Sequence, residues 1–202
     1  MSRNKENQRK RLRTRRQSLE LQYVEEKSKQ VCDRLEGFEE FQKVSNVGCY
    51  LPLKHDREVD LRHLIQRQVD KKNILLPRMN QEHQSLDYFY FPGNENTTSE
   101  NIPIFHYEQL GGIEINQGVP EPRPASCDPF QGEPDLVLVP GVGFDESRDR
   151  LGLGAGYFDR YLHSLENSVT VGVGYDFQVV DSIVTHSHDI TLDYVVTPSR
   201  II

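Results

Sequence analysis

Three glycines at alternate positions, Gly152, Gly154 and Gly156, stand between Arg150 and the run Tyr157-Phe158-Asp159-Arg160-Tyr161. A loop of this kind leaves backbone N–H groups free to converge on an anion, and a helix opening at its end adds positive potential. The apolar residues 136–139 precede it, followed by Pro140-Gly-Val-Gly-Phe-Asp145. The order is therefore strand, glycine-rich loop, helix. Arg150 at the entrance offers a cation to a phosphate, and Asp159, one turn into the helix, offers a carboxylate to magnesium. The chemistry that fits is the holding of a nucleotide with its metal. The spacing is neither GxxxxGK(S/T) nor a GxGxxG in a first βα unit, so the two commonest nucleotide motifs do not apply. Taken alone, the loop is equally a tight turn that packs a helix on a sheet.

The elements that must position this loop alternate along the chain. Residues 5–35 read as one helix, with Leu12, Leu19, Val24, Val31 and Leu35 at roughly helical spacing. Residues 44–51 read as a strand and 59–70 as a second helix, with Leu61, Leu64, Ile65 and Val69 on one face. Residues 73–76 and 86–91 read as strands. The run 136–139 is a short strand of the fully buried, parallel kind. A helix over 157–165 and strands over 169–173 and 194–197 complete the set. Residues 92–103 and 116–134 are rich in Asn, Pro, Gly and Glu and read as loops. The pattern predicts one α/β domain over residues 1–202, an open and mostly parallel sheet with helices on both faces.

Composition excludes several classes. The chain of 202 residues is 36% hydrophobic and carries a net charge of −7, and no apolar run approaches the length of a membrane span. The basic N-terminus is not followed by an apolar segment, so it does not read as a secretory signal. Cys32, Cys49 and Cys127 form an odd set without CxxC spacing, which points to reduced thiols and a cytoplasmic protein. Arg3, Lys5, Arg9, Lys10, Arg11, Arg13, Arg15 and Arg16 crowd the first sixteen residues. No aromatic residues interleave with them and the rest of the chain is acidic, so they read as a solvated helix face rather than a nucleic-acid arm. His186 and His188 flank Ser187 without a third ligand at plausible spacing and read as a solvated loop.

The ordered motifs resemble the 5-formyltetrahydrofolate cyclo-ligase, or methenyltetrahydrofolate synthetase, family. They are Lys5-x-x-x-Arg9, Gly48-Cys-Tyr-Leu51-Pro with Glu58-Val-Asp60, Ile74-Leu-Leu-Pro77-Arg78 and Gly118-Val-Pro-Glu121-Pro122. The signature Leu-Val-Pro140-Gly-Val-Gly-Phe-Asp145 with Arg150-Leu-Gly-x-Gly-x-Gly-Tyr-Phe-Asp159 follows, and then His188-Asp189 and Leu192-Asp193-Tyr-Val-Val-Thr197-Pro198. Agreement in order at these places spans nearly the whole chain. The resemblance implies a sheet related to ribose-5-phosphate isomerase and glucosamine-6-phosphate deaminase. It also implies an ATP- and magnesium-dependent enzyme that closes 5-formyltetrahydrofolate, polyglutamylated or not, acting as a monomer. ATP would meet Lys5, Arg9, Arg150, Leu151, Gly152, Leu153, Gly154, Ala155, Gly156, Tyr157 and Phe158. The folate would meet Leu51, Glu58 and Tyr157, and Asp159 with Asp193 would hold magnesium. Arg150 and Tyr157 would act on the reacting groups. Read without the resemblance, Asp159 is a first-turn acid answering a helix dipole, Asp193 a strand-end residue and Tyr157 a core tyrosine.

The implied reaction needs no protein nucleophile. The formyl oxygen attacks the γ-phosphate, N10 attacks the activated carbon, and phosphate leaves; the protein supplies alignment and charge compensation. The chain departs from the family's usual loop at Leu153 and Ala155, where an arginine and a lysine commonly stand. That departure motivates a second expectation, a folate-sequestering protein with little turnover.

Overall fold

The computed structural model describes residues 2–92, 111–186 and 189–202. Among these, the central sheet has six strands in the order β11-β9-β6-β1-β2-β3. They are β1 (Asn46–Gly48), β2 (Asn73–Asn80), β3 (Ser85–Tyr90), β6 (Leu136–Pro140), β9 (Val169–Val173) and β11 (Tyr194–Val196). The first five of that order run parallel, and β3 turns back antiparallel on β2. Two smaller sheets lie beside it. One joins β10 (Val179–Val180), β7 (Gly143–Asp145) and β8 (Arg150–Leu151); the other is the hairpin β4 (Ile113–Asn116) and β5 (Val119–Pro122).

Alternation along the strands sorts the core into two layers. Ile74, Leu76, Leu136, Leu138, Val171 and Val173 face one layer, where Val31 and Leu35 of α2 (Leu21–Glu36), Phe41 of α3 (Glu39–Lys43), and Leu64 and Ile65 of α4 (Arg62–Gln68) pack. Leu75, Val137, Val139 and Val195 face the other, where Tyr161 and Leu162 of α5 (Tyr157–Leu162) pack. A strand buried on both faces must be apolar at every position, and the LVLV run of β6 is. The three cysteines are buried and free, and burial pushes the Cys32 thiol up to about 12. A thiol so held is no nucleophile at neutral pH.

Several expectations change. The single helix over 5–35 is two, α1 (Ser2–Gln17) and α2, broken at residues 18–20, where Ser18 Oγ donates to Arg15 O at 2.8 Å. The apolar repeat belongs to α2. In α1 the buried positions are Lys5, Leu12 and Arg16, so this helix is docked chiefly by charge rather than by an apolar stripe. The loop expected over 116–134 contains β5, whose Pro120 and Pro122 are tolerated because the hairpin has only two strands. The strand expected over 44–51 pairs only at Asn46–Gly48, and the chain beyond it lines the site. Most of the loop expected over 92–103, with His106, Ser187 and His188, lies outside the described residues, so of the HxH pair only His186 is described.

Candidate active site

In an open parallel sheet, ligands bind beyond the C-terminal ends of the strands, at the point where strand order reverses. Here the chain leaves β1 for β2 on one side and later enters β6 on the other. The crevice between the segments after β1 and β6 is a cleft of about 220 Å³. Tyr50, Leu51, Leu53 and Glu58 come from the first segment, and Pro140, Gly141 and Val142 from the second. Met79, Leu86 and β5, with Glu121, close one wall, and the loop of Gly152, Leu153, Gly154, Ala155 and Gly156 with Tyr157, Phe158 and Asp159 closes another. The opposite side of that loop faces a polar basin of about 530 Å³ lined by Lys5, Glu6, Arg9, Asp159, Arg160, His163, His186 and Asp189. The glycine loop thus divides a largely apolar cleft from a charged basin.

Of the cleft's carboxylates, Glu58 is 6% exposed. Its Oε2 accepts from Leu53 N at 2.9 Å, and its Oε1 lies 3.5 Å from Arg16 Nη2. Burial raises its pKa above the ordinary carboxylate range, opposed by the Arg16 charge and the Leu53 hydrogen bond. Arg16 is itself 1% exposed. Its Nε donates to Asp56 O at 2.8 Å and its Nη1 to Gly141 O at 2.9 Å. Asp56 is the hub. Its carboxylate accepts from Arg13 Nε at 2.9 Å and from Gln17 Nε2 at 2.5 Å, with Arg16 Nη2 at 3.4 Å. Burial alone would push Asp56 up, but these donors and the two arginine charges hold it below the ordinary value. Glu121, 1% exposed, accepts from Met79 N at 3.0 Å and Asn116 Nδ2 at 2.9 Å.

At the loop, Arg150 donates to Pro140 O at 3.0 Å and to Asp159 Oδ1 at 2.5 Å, and it stands over the Phe158 ring at 5.7 Å. Arg9 Nε donates to Gly152 O at 2.8 Å. Lys5 is ion-paired with Asp189, which also accepts from His186 N at 2.6 Å. Gly154 and Gly156 hold φ of 110° and 73°, a backbone that side-chain-bearing residues rarely adopt. Helix α5 has only six residues, so the positive potential at the loop comes from arginines more than from a helix dipole.

Of the expected site residues, Lys5, Arg9, Gly152, Gly154, Ala155, Gly156 and Asp159 line the basin, and Leu51, Glu58, Arg150, Leu153, Tyr157 and Phe158 line the cleft. Leu151 lies beneath the loop in a small cluster with Leu12, Val142 and Ile183. Asp193 does not join them. It precedes β11, at the N-terminal end of the sheet, where its Oδ2 accepts from Thr170 N and Oγ1, both at 2.8 Å. The pairing of Asp159 with Asp193 at one metal is therefore corrected: a residue heading a parallel strand stands at the end of the sheet opposite the site. The carboxylate that shares the basin with Asp159 is Asp189. The solvated-face reading of the N-terminal cations also fails at Lys5 and Arg16, both buried. Sequence reasoning missed Arg13, Arg16 and Asp56. Their signal was present, since Lys5, Arg9, Arg13 and Arg16 recur at helical spacing on one face.

No cluster of three or more His, Cys, Asp or Glu side chains suited to a metal occurs among the described residues. Magnesium in phosphoryl transfer takes one or two carboxylates and completes its shell with phosphate oxygens and water. Asp159 and Asp189 on one basin fit that demand.

A mostly parallel α/β sheet with a glycine loop at its switch point, between an apolar cleft and a basin lined by charged side chains, defines the class of α/β fold that takes small molecules at its strand ends. The chain belongs to the 5-formyltetrahydrofolate cyclo-ligase family, whose model matches residues 1–198. A probable 5-formyltetrahydrofolate cyclo-ligase of Schizosaccharomyces pombe is 29% identical over 195 residues, covering 89% of this chain and 87% of that protein. The Mycolicibacterium smegmatis 5-formyltetrahydrofolate cyclo-ligase is 40% identical over 70 residues, a match spanning 34% of this chain and 36% of that enzyme. The solution structure of Aquifex aeolicus 5,10-methenyltetrahydrofolate synthetase superposes with a TM-score of 0.77 at 28% identity, covering 98% of this chain and 91% of that one. The Mycoplasma pneumoniae synthetase shares the fold, with a TM-score of 0.70 at 19% identity.

Proposed function

We propose that this chain converts 5-formyltetrahydrofolate to 5,10-methenyltetrahydrofolate, driven by ATP, with release of ADP and phosphate. The observation that carries this reading is the division of the site by the glycine loop. A pterin is a flat ring system with N–H donors along one edge, which suits an apolar cleft holding a buried carboxylate. A triphosphate suits the basin of Lys5, Arg9 and the loop backbone. Tyr157 stands at the end of the loop, beside the boundary at which formyl oxygen and γ-phosphate would meet.

In this reading Glu58 accepts hydrogen bonds from the pterin amino group and ring N–H, oriented by Leu53 N and Arg16. The Arg16 charge favours the ionised form that burial disfavours, and only the ionised form accepts at both oxygens. Arg150 and Tyr157 lie next to the reacting atoms. Arg150 also fixes Asp159, which with Asp189 would hold magnesium. That ion would supply charge compensation on the phosphate chain. The substrate's own formyl oxygen and N10 are the nucleophiles, so the protein aligns them and screens charge. We place the enzyme in the cytoplasm as a monomer that takes its folate with or without a polyglutamate tail.

The test follows absorbance at the methenyltetrahydrofolate band with purified protein, 5-formyltetrahydrofolate and magnesium, with and without ATP. An ATP-dependent rise is expected. Tight folate binding without that rise would replace the ligase with a sequestering protein.

A further inference from the structure

Each of the three alternating glycines seats a guanidinium. A methyl group placed on Gly152 would come within 3.1 Å of Arg150 Nη1, one on Gly154 within 3.5 Å of the guanidinium carbon of Arg9, and one on Gly156 within 2.7 Å of Arg160 Nη1. The absent side chains let cations from β8, α1 and α5 lie along one stretch of backbone. Their charges do not act alike. Arg150 is neutralised by Asp159, and Lys5, also on the basin, is neutralised by Asp189. Arg9 donates to the carbonyl of Gly152, and Arg160 donates to the carbonyls of Ala155, at 2.9 Å, and Gln84. Among the described residues neither arginine meets a carboxylate.

We infer that Arg160 is a phosphate-binding residue for the ATP chain, the partner of Arg9 in supplying uncompensated positive charge to the basin. The inference rests on the cyclo-ligase reading and assigns a ligand to one side of that site. Carbonyl bonds hold a guanidinium in place without discharging it, whereas a carboxylate would cancel the charge an incoming phosphate needs. The loop offers no charged side chain between Gly152 and Gly156, because positions 153 and 155 are Leu and Ala. Its cations must therefore come from flanking elements. Arg160 is solvent-exposed, lines the basin and lies 5.3 Å from the centre of the Tyr157 ring, so it spans from the phosphate side of the loop to the residue at its end. The guanidinium carries five donors, and Nη1, lying against Gly156, has no protein acceptor among the described residues.

The competing role is a strut that ties Ala155 to the β2–β3 turn at Gln84. Arg160→Gln and Arg160→Lys in the full chain separate the two. The measured quantities are KM for ATP, KM for 5-formyltetrahydrofolate, and inhibition by inorganic tripolyphosphate competing with ATP. Loss of charge in Arg160→Gln should raise KM for ATP and weaken tripolyphosphate inhibition by about tenfold or more, the value of one charge-assisted hydrogen bond. KM for the folate should stay within about twofold, since uncharged neighbours across the loop are untouched. Arg160→Lys should recover most of the loss in both ATP measures. A lysine variant as damaged as the glutamine variant identifies a strut and overturns the assignment, as does unchanged tripolyphosphate inhibition. Unaltered protein without ATP-dependent turnover overturns the cyclo-ligase reading and the assignment together. Turnover with an unchanged KM for ATP in Arg160→Gln overturns the assignment alone.

Discussion

Replacing Arg16 with methionine tests whether the buried ion network holds α1 to the sheet. Methionine fills much of the same volume, so the loss is mainly electrostatic. Arg16 donates to two carbonyls, at 2.8 and 2.9 Å, and stands 3.4 and 3.5 Å from the carboxylates of Asp56 and Glu58. Gly141 O still accepts from Gln178 Nε2, and Asp56 keeps Arg13 and Gln17. Glu58 loses the cation that offsets its burial. Removing one member of a buried network typically costs 3–5 kcal/mol, and the retained partners place this case at about 3 kcal/mol. With a urea dependence of about 2 kcal/mol per molar, the unfolding midpoint falls by about 1.5 M. The effect depends on pH. Glu58 is already raised above its reference value of 4.5, so the folded chain binds more protons than the unfolded one, and stability falls as pH climbs from there to the folded value. Without Arg16 the folded value rises further and the window widens upward. The deficit should be smaller near about pH 5 than near about pH 8, and adding Glu58→Gln should return part of it. A midpoint shift under about 0.5 M, or a deficit independent of pH, would refute the reasoning.

Two further substitutions address the metal. Asp159→Asn should abolish magnesium-dependent turnover while calorimetry shows folate binding largely intact; unchanged turnover would remove Asp159 from the metal site. Asp193→Asn should leave both KM values unchanged and cost about 1 kcal/mol in urea unfolding, since it weakens hydrogen bonds to Thr170 N and Oγ1. A turnover loss matching that of Asp159→Asn would restore the Asp193 assignment.

What the sequence disclosed depended on whether a pattern was local. The apolar run of β6 stood out because a strand buried on both faces favours apolar residues at every position, β9 and β11 because they are rich in valine, and the glycine loop because its three glycines alternate within five residues. The break between α1 and α2 did not, since a continuous helical repeat conceals a change in what the helix faces. The hairpin β4–β5 was concealed by Pro120 and Pro122, which argue against a strand except in so small a sheet. The place of Asp193 follows from strand direction. The head of a parallel strand is the end away from the ligand crevice, and that topology was already implied by the predicted sheet. The glycines carried a second meaning that spacing alone could not reveal. They seat Arg150, Arg9 and Arg160, and Arg9 arrives from α1, more than 140 residues away in sequence.

The same face of α1 serves both halves of the site, and this yields a sharper prediction than stability alone. Lys5 and Arg9 line the basin, while Arg13, Arg16 and Gln17 grip Asp56 beside Glu58. At 1.5 Å of rise per residue, the eleven steps from Lys5 to Arg16 span about 16 Å of one helix. Loosening its far end should therefore disturb the cations at its near end. Arg16→Met is expected to raise KM for ATP as well as for 5-formyltetrahydrofolate, although Arg16 reaches neither the basin nor the glycine loop. Glu58→Gln, which leaves Asp56 and its three donors in place, is expected to raise KM for the folate alone. The contrast matters because both variants alter the same ion pair. If the two give the same pattern, α1 is not the mechanical link, and its cations on the basin are held by their local partners at Asp189 and Gly152 instead.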